Sequence, residues 1–148
     1  FAANGGKILS SNGEVRRRVA AGEFAVGLTD TDDYNVARLE GKPVGVVYPD
    51  ADGMGTVIVP NCAVLVAGGP NAANGKLFID YLLTPKVETA LAECEAAQMP
   101  VRVGVPVPAH VKTLADLNPM PLDYAKLGPR LETLSTGFLK EWVDHNLK

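Results

Sequence analysis

Cysteine, histidine and serine are scarce in this chain of 148 residues, at two, two and three. Cys62 and Cys94 are too few for a disulfide framework, and neither has a second Cys or a His at metal-ligand spacing. Free cysteine is among the most buried residue types, so both are expected inside as small hydrophobes, with a single disulfide as the alternative. Ser10, Ser11 and Ser135 stand outside any Gly-x-Ser-x-Gly elbow, and His110 and His145 lie far apart with no His-Glu-x-x-His pair. A nucleophilic triad and a hydrolytic zinc site are therefore excluded, and no catalytic residue is assigned. His110 is expected near a loop and His145 in a terminal helix turn. Long apolar runs are scarce too: Thr56 to Ala67 is broken by Pro60 and Asn61, short of the roughly 18–20 residues a membrane helix needs. Basic excess is missing, with 14 Lys and Arg against 17 Asp and Glu and a net charge of −3, which removes nucleic acid as a partner. The chain opens at Phe1 without Met or signal-like segments, so it is read as a cut product or partial chain.

What is present describes a globular protein, 47% hydrophobic and 21% charged, with 15 glycines and 11 prolines. These stay below the roughly 25–30% that marks low complexity. Helix and strand signals alternate at short intervals, which predicts an α/β layer structure. Asn12 stands as an N-cap, Val15 and Val19 share a face and Gly22 is a stop, so a helix is expected over about 13–21. A strand follows from Phe24 to Leu28. Thr29 to Asp33 then form a polar turn that leads into a helix ending at Gly41. Further strands are expected at Val44–Tyr48, Thr56–Val59 and Cys62–Ala67. A helix pattern resumes at Asn71, and Thr84-Pro85 starts another that runs to about Ala97. Pro100 to Pro108 is too rich in proline for a central strand. Leu131, Leu134, Phe138 and Trp142 mark a closing amphipathic helix from near Pro129.

Two motif resemblances fail on spacing. Gly69 to Lys76 has five residues between Gly69 and Gly75 where a P-loop has four, and Leu77 replaces the magnesium-holding hydroxyl. Asp50 to Gly53 lacks the remaining ligands of a calcium loop and reads as a tight turn. The chemically loaded feature is Asp30, Asp32 and Asp33, three carboxylates at the carboxyl end of an expected strand, where open α/β sheets collect ligands. At least one of them is expected to serve only as a helix cap.

The ordered series Asn12–Arg16, Val19–Asp33, Val46–Asp50, Gly55–Asn61 and Phe78–Pro85 resembles periplasmic solute-binding proteins of ABC importers, in the cluster that includes ferric-iron, thiamine and phosphonate binders. The resemblance implies a fold of two α/β lobes closing on a solute, of which this chain is similar to the C-terminal half. Residues 1–57 would belong to the second lobe, 58–109 to the first after a hinge crossover, and 110–148 would return to the second. Its implied partners are a small-molecule solute, the membrane permease subunits and the N-terminal half of the same protein. Its implied location is periplasmic, no cofactor is implied, and an isolated chain would expose apolar surface meant for absent strands.

In the ferric-iron members a tyrosine pair ligates the metal after the matching strand, and an Asn at the preceding helix start helps hold an anion. Asn12 matches that Asn, Asp32 and Asp33 match the tyrosine pair, Tyr34 lies one step beyond, and Asp30 replaces a second Asn. Carboxylates accept hydrogen bonds from ammonium and hydroxyl groups and suit hard cations. The expectation is a non-enzymatic binder of a zwitterionic or phosphorylated solute, with Asn12, Asp30, Thr31, Asp32 and Asp33 on one cleft wall. The alternatives are ferric binding through other ligands, such as Tyr34, and an enzyme or sensor on the same fold.

Overall fold

The computed structural model describes residues 1–147. The chain divides into two compact units, one spanning Asn12–Met120, the other Phe1–Ser11 together with the chain from Pro121 on.

The larger unit is built on four helices: α1 (Asn12–Ala20), α2 (Thr31–Leu39), α3 (Ala72–Leu82) and α4 (Pro85–Glu93). Local signals account for their ends. Gly22 and Gly41 follow α1 and α2 with φ of 78° and 70°, a left-handed conformation that glycine adopts without a Cβ penalty and that stops a helix. Thr84 caps α4, its hydroxyl oxygen accepting from Val87 N at 3.4 Å, and Pro85 fills the first helical position, whose N–H has no helical partner anyway. α4 ends at Glu93, short of Ala97, because Cys94 turns extended and Ala97 takes φ 45°. Beyond it, Glu88 accepts from the backbone N–H groups of Val101 and Arg102 at 2.6 and 2.9 Å, and Arg102 donates to Leu83 O at 2.7 Å. That clamp ties the proline-rich segment to α4.

The expected α/β sheet is absent from the described residues, which contain no strand. The single ladder element is an isolated parallel bridge between Thr56 and Pro119, with Thr56 N donating to Asn118 O at 2.7 Å and Met120 N to Thr56 O at 2.9 Å. Gly55 permits this approach, having φ 92° and no side chain to strike the Asn118–Met120 backbone. The Asn118 amide gathers the carbonyls of Asp50, Ala51 and Gly53 at 3.2–3.4 Å. The expected strands at 24–28, 44–48, 56–59 and 62–67 are thus corrected to unladdered segments. A strand is stabilised by lateral pairing and by burial of its faces, and beyond the single bridge at the buried Thr56 these segments have no ladder and are largely exposed. Val26, Val47, Val59 and Val64 are each at least 80% exposed. The buried apolar residues are few and mostly small: Ala37, Ala92, Ala97, Val105 and Val111. Cys62 and Cys94 are free and exposed, against the expectation of burial or a disulfide, because one lies in an unpaired segment and the other at a helix end.

In the smaller unit the helical run starts at Tyr124, earlier than expected, and its pitch is uneven. It comprises α5 (Tyr124–Leu127), a 3-10 turn at Gly128–Arg130, α6 (Leu131–Thr133), a π turn at Leu134–Phe138 and α7 (Leu139–Asn146). Pro129 lacks the N–H that a regular turn would use. Leu131 and Phe138 are exposed, and the Trp142 ring lies 6.3 Å from that of Phe1.

Candidate functional site: a carboxylate cluster between two helix starts

α1 and α2 begin close together because the intervening chain returns along α1. Gly27 makes this possible: a Cβ there would strike the side chains of Val15 and Val19. Arg16, one turn into α1, places its guanidinium 3.5 Å from the Asp33 carboxylate and 3.4 Å from Glu40. Asn35 is buried on α2, donating to Glu95 O at 2.9 Å and accepting from Arg38, which fixes α2 against the segment after α4.

Four of the five expected site residues meet here. Asn12 is the first residue of α1 rather than its cap, and its amide donates to Asp30 Oδ2 at 2.6 Å. Asp30 occupies the N-cap position of α2 in an extended conformation, yet its side chain makes no capping bond. It faces Asn12 instead. Thr29, outside the expected set, donates to Asp33 Oδ2 at 2.8 Å. The carboxylates of Asp30, Asp32 and Asp33 each bring an oxygen to within 4.8 Å of the others.

The electrostatics divide the trio. Burial acts to raise Asp30, but hydrogen bonds from Asp32, Asp33 and Asn12 outweigh it and hold that carboxyl below its ordinary value. Asp32 is pushed up by burial and then by its hydrogen bond with, and repulsion from, Asp30. Asp33 is pushed up by burial and by Asp30, with the Thr29 hydroxyl and Arg16 pulling the other way. Arg16 pairs with Asp33 alone and is itself shared with Glu40, and the Arg17 guanidinium lies on the Gly13 side of Asp33. Asp30 and Asp32 have no ion-pair partner within 4 Å among the described residues, so that end of the cluster is suited to hydrogen-bond donors of positive sign.

Thr31, the fifth expected residue, is not in that set of contacts. With Tyr34, Tyr48, Met99, His110 and Lys112 it lines a small recess of about 10 Å³, room for roughly one water. Burial pushes the Tyr48 phenol up, and the neighbouring Tyr34 adds to the shift. Sequence reading missed Tyr48, His110 and Lys112 here, since no local spacing joins residues that come together from α2 and two separate loops. His145 is in the terminal helix as expected, its Nδ1 2.6 Å from Glu141 O.

The model of the bacterial extracellular solute-binding protein family matches residues 1–119. The chain belongs to this family. Over 107 residues, 70% of the chain, it is 33% identical to a provisionally named 2-aminoethylphosphonate-binding periplasmic protein of Salmonella typhimurium. Over 121 residues, 82% of the chain, it is 26% identical to iron uptake protein A1 of Synechocystis sp.. These alignments cover 31% and 33% of the two relatives, so the chain spans about a third of the length of the curated proteins it matches. No solved structure matches it. Membership of this solute-binding family gives the chain an extracytoplasmic setting, and the relatives are named for binding and uptake. No helix among the described residues is long and apolar enough to cross a membrane.

Proposed function

We propose that the chain is part of the extracytoplasmic solute-binding component of an ABC importer, capturing a small polar solute, zwitterionic or phosphorylated, in an interlobe cleft without chemical turnover. The carrying observation is the carboxylate cluster at the start of α2 in a member of a solute-binding family. The arginines of α1 serve the Asp33 end of the trio, and a solute ammonium group supplies the positive charge at Asp30 and Asp32. Asn12 holds Asp30 in position, and Asp30, Thr31, Asp32 and Asp33 form one wall of the cleft. The similarity to a protein named for 2-aminoethylphosphonate supports a solute of that charge pattern.

In this reading the molecule has two α/β lobes, to which residues 1–57, 58–109 and 110–148 contribute in alternation, and the unpaired apolar segments receive strands from the N-terminal half of the same protein. Their exposure supports it: burial of apolar area contributes about 25 cal/mol per Å², a driving force left unused at Val26, Val47, Val59 and Val64. The docked partner outside the cleft is the membrane permease. The test is ligand-dependent stabilisation of the full-length protein across phosphonates, sugar phosphates, thiamine and ferric salts. A rise in melting temperature with an aminophosphonate, abolished by Asp32→Ala, is expected; no response to any solute refutes the reading.

Ferric iron is the second reading, favoured by the similarity to an iron uptake protein and by carboxylate oxygens close enough to share a hard cation. Tyr34 would then add a phenolate. A visible charge-transfer band on adding ferric citrate, lost in Tyr34→Phe, is its expected sign, and a colourless mixture rejects it. An enzyme or sensor on the same fold would require turnover of a bound solute or a signalling response to it.

A further inference from the structure

An acidic cluster attracts every cation, so a site that takes a solute ammonium faces competition from hard metal ions. Discrimination of that kind is a difference of affinities, and a repulsive element built into the site is one way to obtain it. Resting on the reading above, we propose that Arg16 is the specificity residue of the carboxylate site: its positive charge beside Asp33 leaves Asp30 and Asp32 to one monovalent ammonium and disfavours multivalent cations.

Arg16 belongs to the cluster and is not a loose surface charge: its side chain is 19% exposed and that of Asp33 14%. Its Nε lies 3.5 Å from Asp33 Oδ1, is buried and has no hydrogen-bond partner, so what reaches the carboxylate is charge without a directed bond. The other Asp33 oxygen accepts from the Thr29 hydroxyl at 2.8 Å. Both oxygens of Asp33 are thus engaged, whereas the Asp30 carboxylate meets the neutral amide of Asn12. A hard multivalent cation draws on several carboxylates at once, and oxygens of all three acids stand within 4.8 Å of one another. Arg16 withholds the third. An ammonium needs only acceptors for its hydrogen bonds, and two carboxylates supply them. Arg17 adds to the same field without an ion pair, since a Cβ on Gly13 would lie 3.6 Å from its Nη1 and 3.8 Å from Asp33 Oδ1. Glu40 moderates it, holding Arg16 Nη1 at 3.4 Å. Repulsion grows in proportion to the charge of the arriving ion. At about 6 Å in a water-like dielectric, one guanidinium lowers the affinity of a monovalent ion roughly threefold, of a divalent ion about tenfold and of a trivalent ion about thirtyfold.

The test is NMR titration of the full-length protein, following the backbone amides of residues 30–33, with ethanolamine, calcium and lanthanum chlorides as probes of rising charge. Arg16→Gln should strengthen binding of the three by about threefold, tenfold and thirtyfold. Arg16→Lys keeps the charge and should stay close to wild type. Glu40→Gln leaves Arg16 wholly to Asp33 and should act in the opposite direction, weakening lanthanum more than ethanolamine. Glu40 is exposed at the end of α2, so that variant carries the test if Arg16→Gln fails to fold. The steepening with probe charge is the signature, because a merely structural loss shifts all three probes by one factor. Equal factors across the probes, or no change, in the variants that fold overturn the specificity role and leave the solute reading standing. A wild-type protein whose residues 30–33 respond to no probe overturns the acceptor site on which both rest.

Discussion

Asp32→Asn removes one negative charge from the trio and leaves a side chain of nearly the same shape whose amide can still donate to Asp30. Oxygens of the three carboxylates lie within 4.8 Å of one another, a separation at which two unit charges repel by about 1 kcal/mol in a water-like dielectric. Because the cluster is partly exposed and Arg16 offsets some of the charge, the net gain at pH 7 is taken as about 1 kcal/mol rather than a sum over pairs. The sign follows from the shifts. Asp32 and Asp33 are raised on folding, so their contribution to stability is present below the unfolded carboxyl value and is lost as pH rises through the higher folded value. Asp30 is lowered, so its contribution is present above the unfolded value and is lost as pH falls through the folded one. Asp32→Asn should therefore stabilise the solute-free full-length protein at pH 7, raising its melting temperature by about 2 °C. The gain should fade toward pH 4 as Asp32 takes up its proton. Urea denaturation across pH 4–8 gives the same comparison at constant temperature. Destabilisation by Asp32→Asn at neutral pH would refute the view that the cluster is a strained acceptor awaiting a cation.

Other perturbations test the scaffold. Gly55→Ala should cost about 3 kcal/mol or prevent folding, since a Cβ there meets backbone of Asn118–Met120 and φ is 92°; the check is a denaturation midpoint. Thr84→Ala removes the cap of α4 and should cost about 1 kcal/mol, read as earlier hydrogen exchange in the first turn of α4. Glu88→Gln weakens the clamp on Val101 and Arg102. Glu88 is held below its ordinary value chiefly by the Arg102 backbone N–H, so the wild-type advantage over the variant should be present above the unfolded glutamate value and vanish as pH falls through the folded one, measured by melting temperature against pH.

The chain's own order of residues determined the helices, because their signals act over a few positions. Gly22 and Gly41 end α1 and α2, Thr84-Pro85 opens α4, and the Asp30–Asp33 run places three carboxylates on one turn whatever surrounds it. The closing helix was legible in kind but not in pitch. What local signals cannot specify is pairing. Alternating valines mark a segment that can enter a sheet, but the ladder forms only when another strand lies alongside, and segments 24–28, 44–48 and 62–67 have no such neighbour among the described residues. The tertiary structure alone decided that Asn12 serves Asp30 instead of capping α1, and that Asp30 holds the cap position without capping. It also brought Tyr48, His110 and Lys112 to the face of α2 that bears Thr31 and Tyr34. Contacts between residues distant in sequence cost chain entropy that only the assembled packing offsets, so no reading of spacing along the chain could have placed them together.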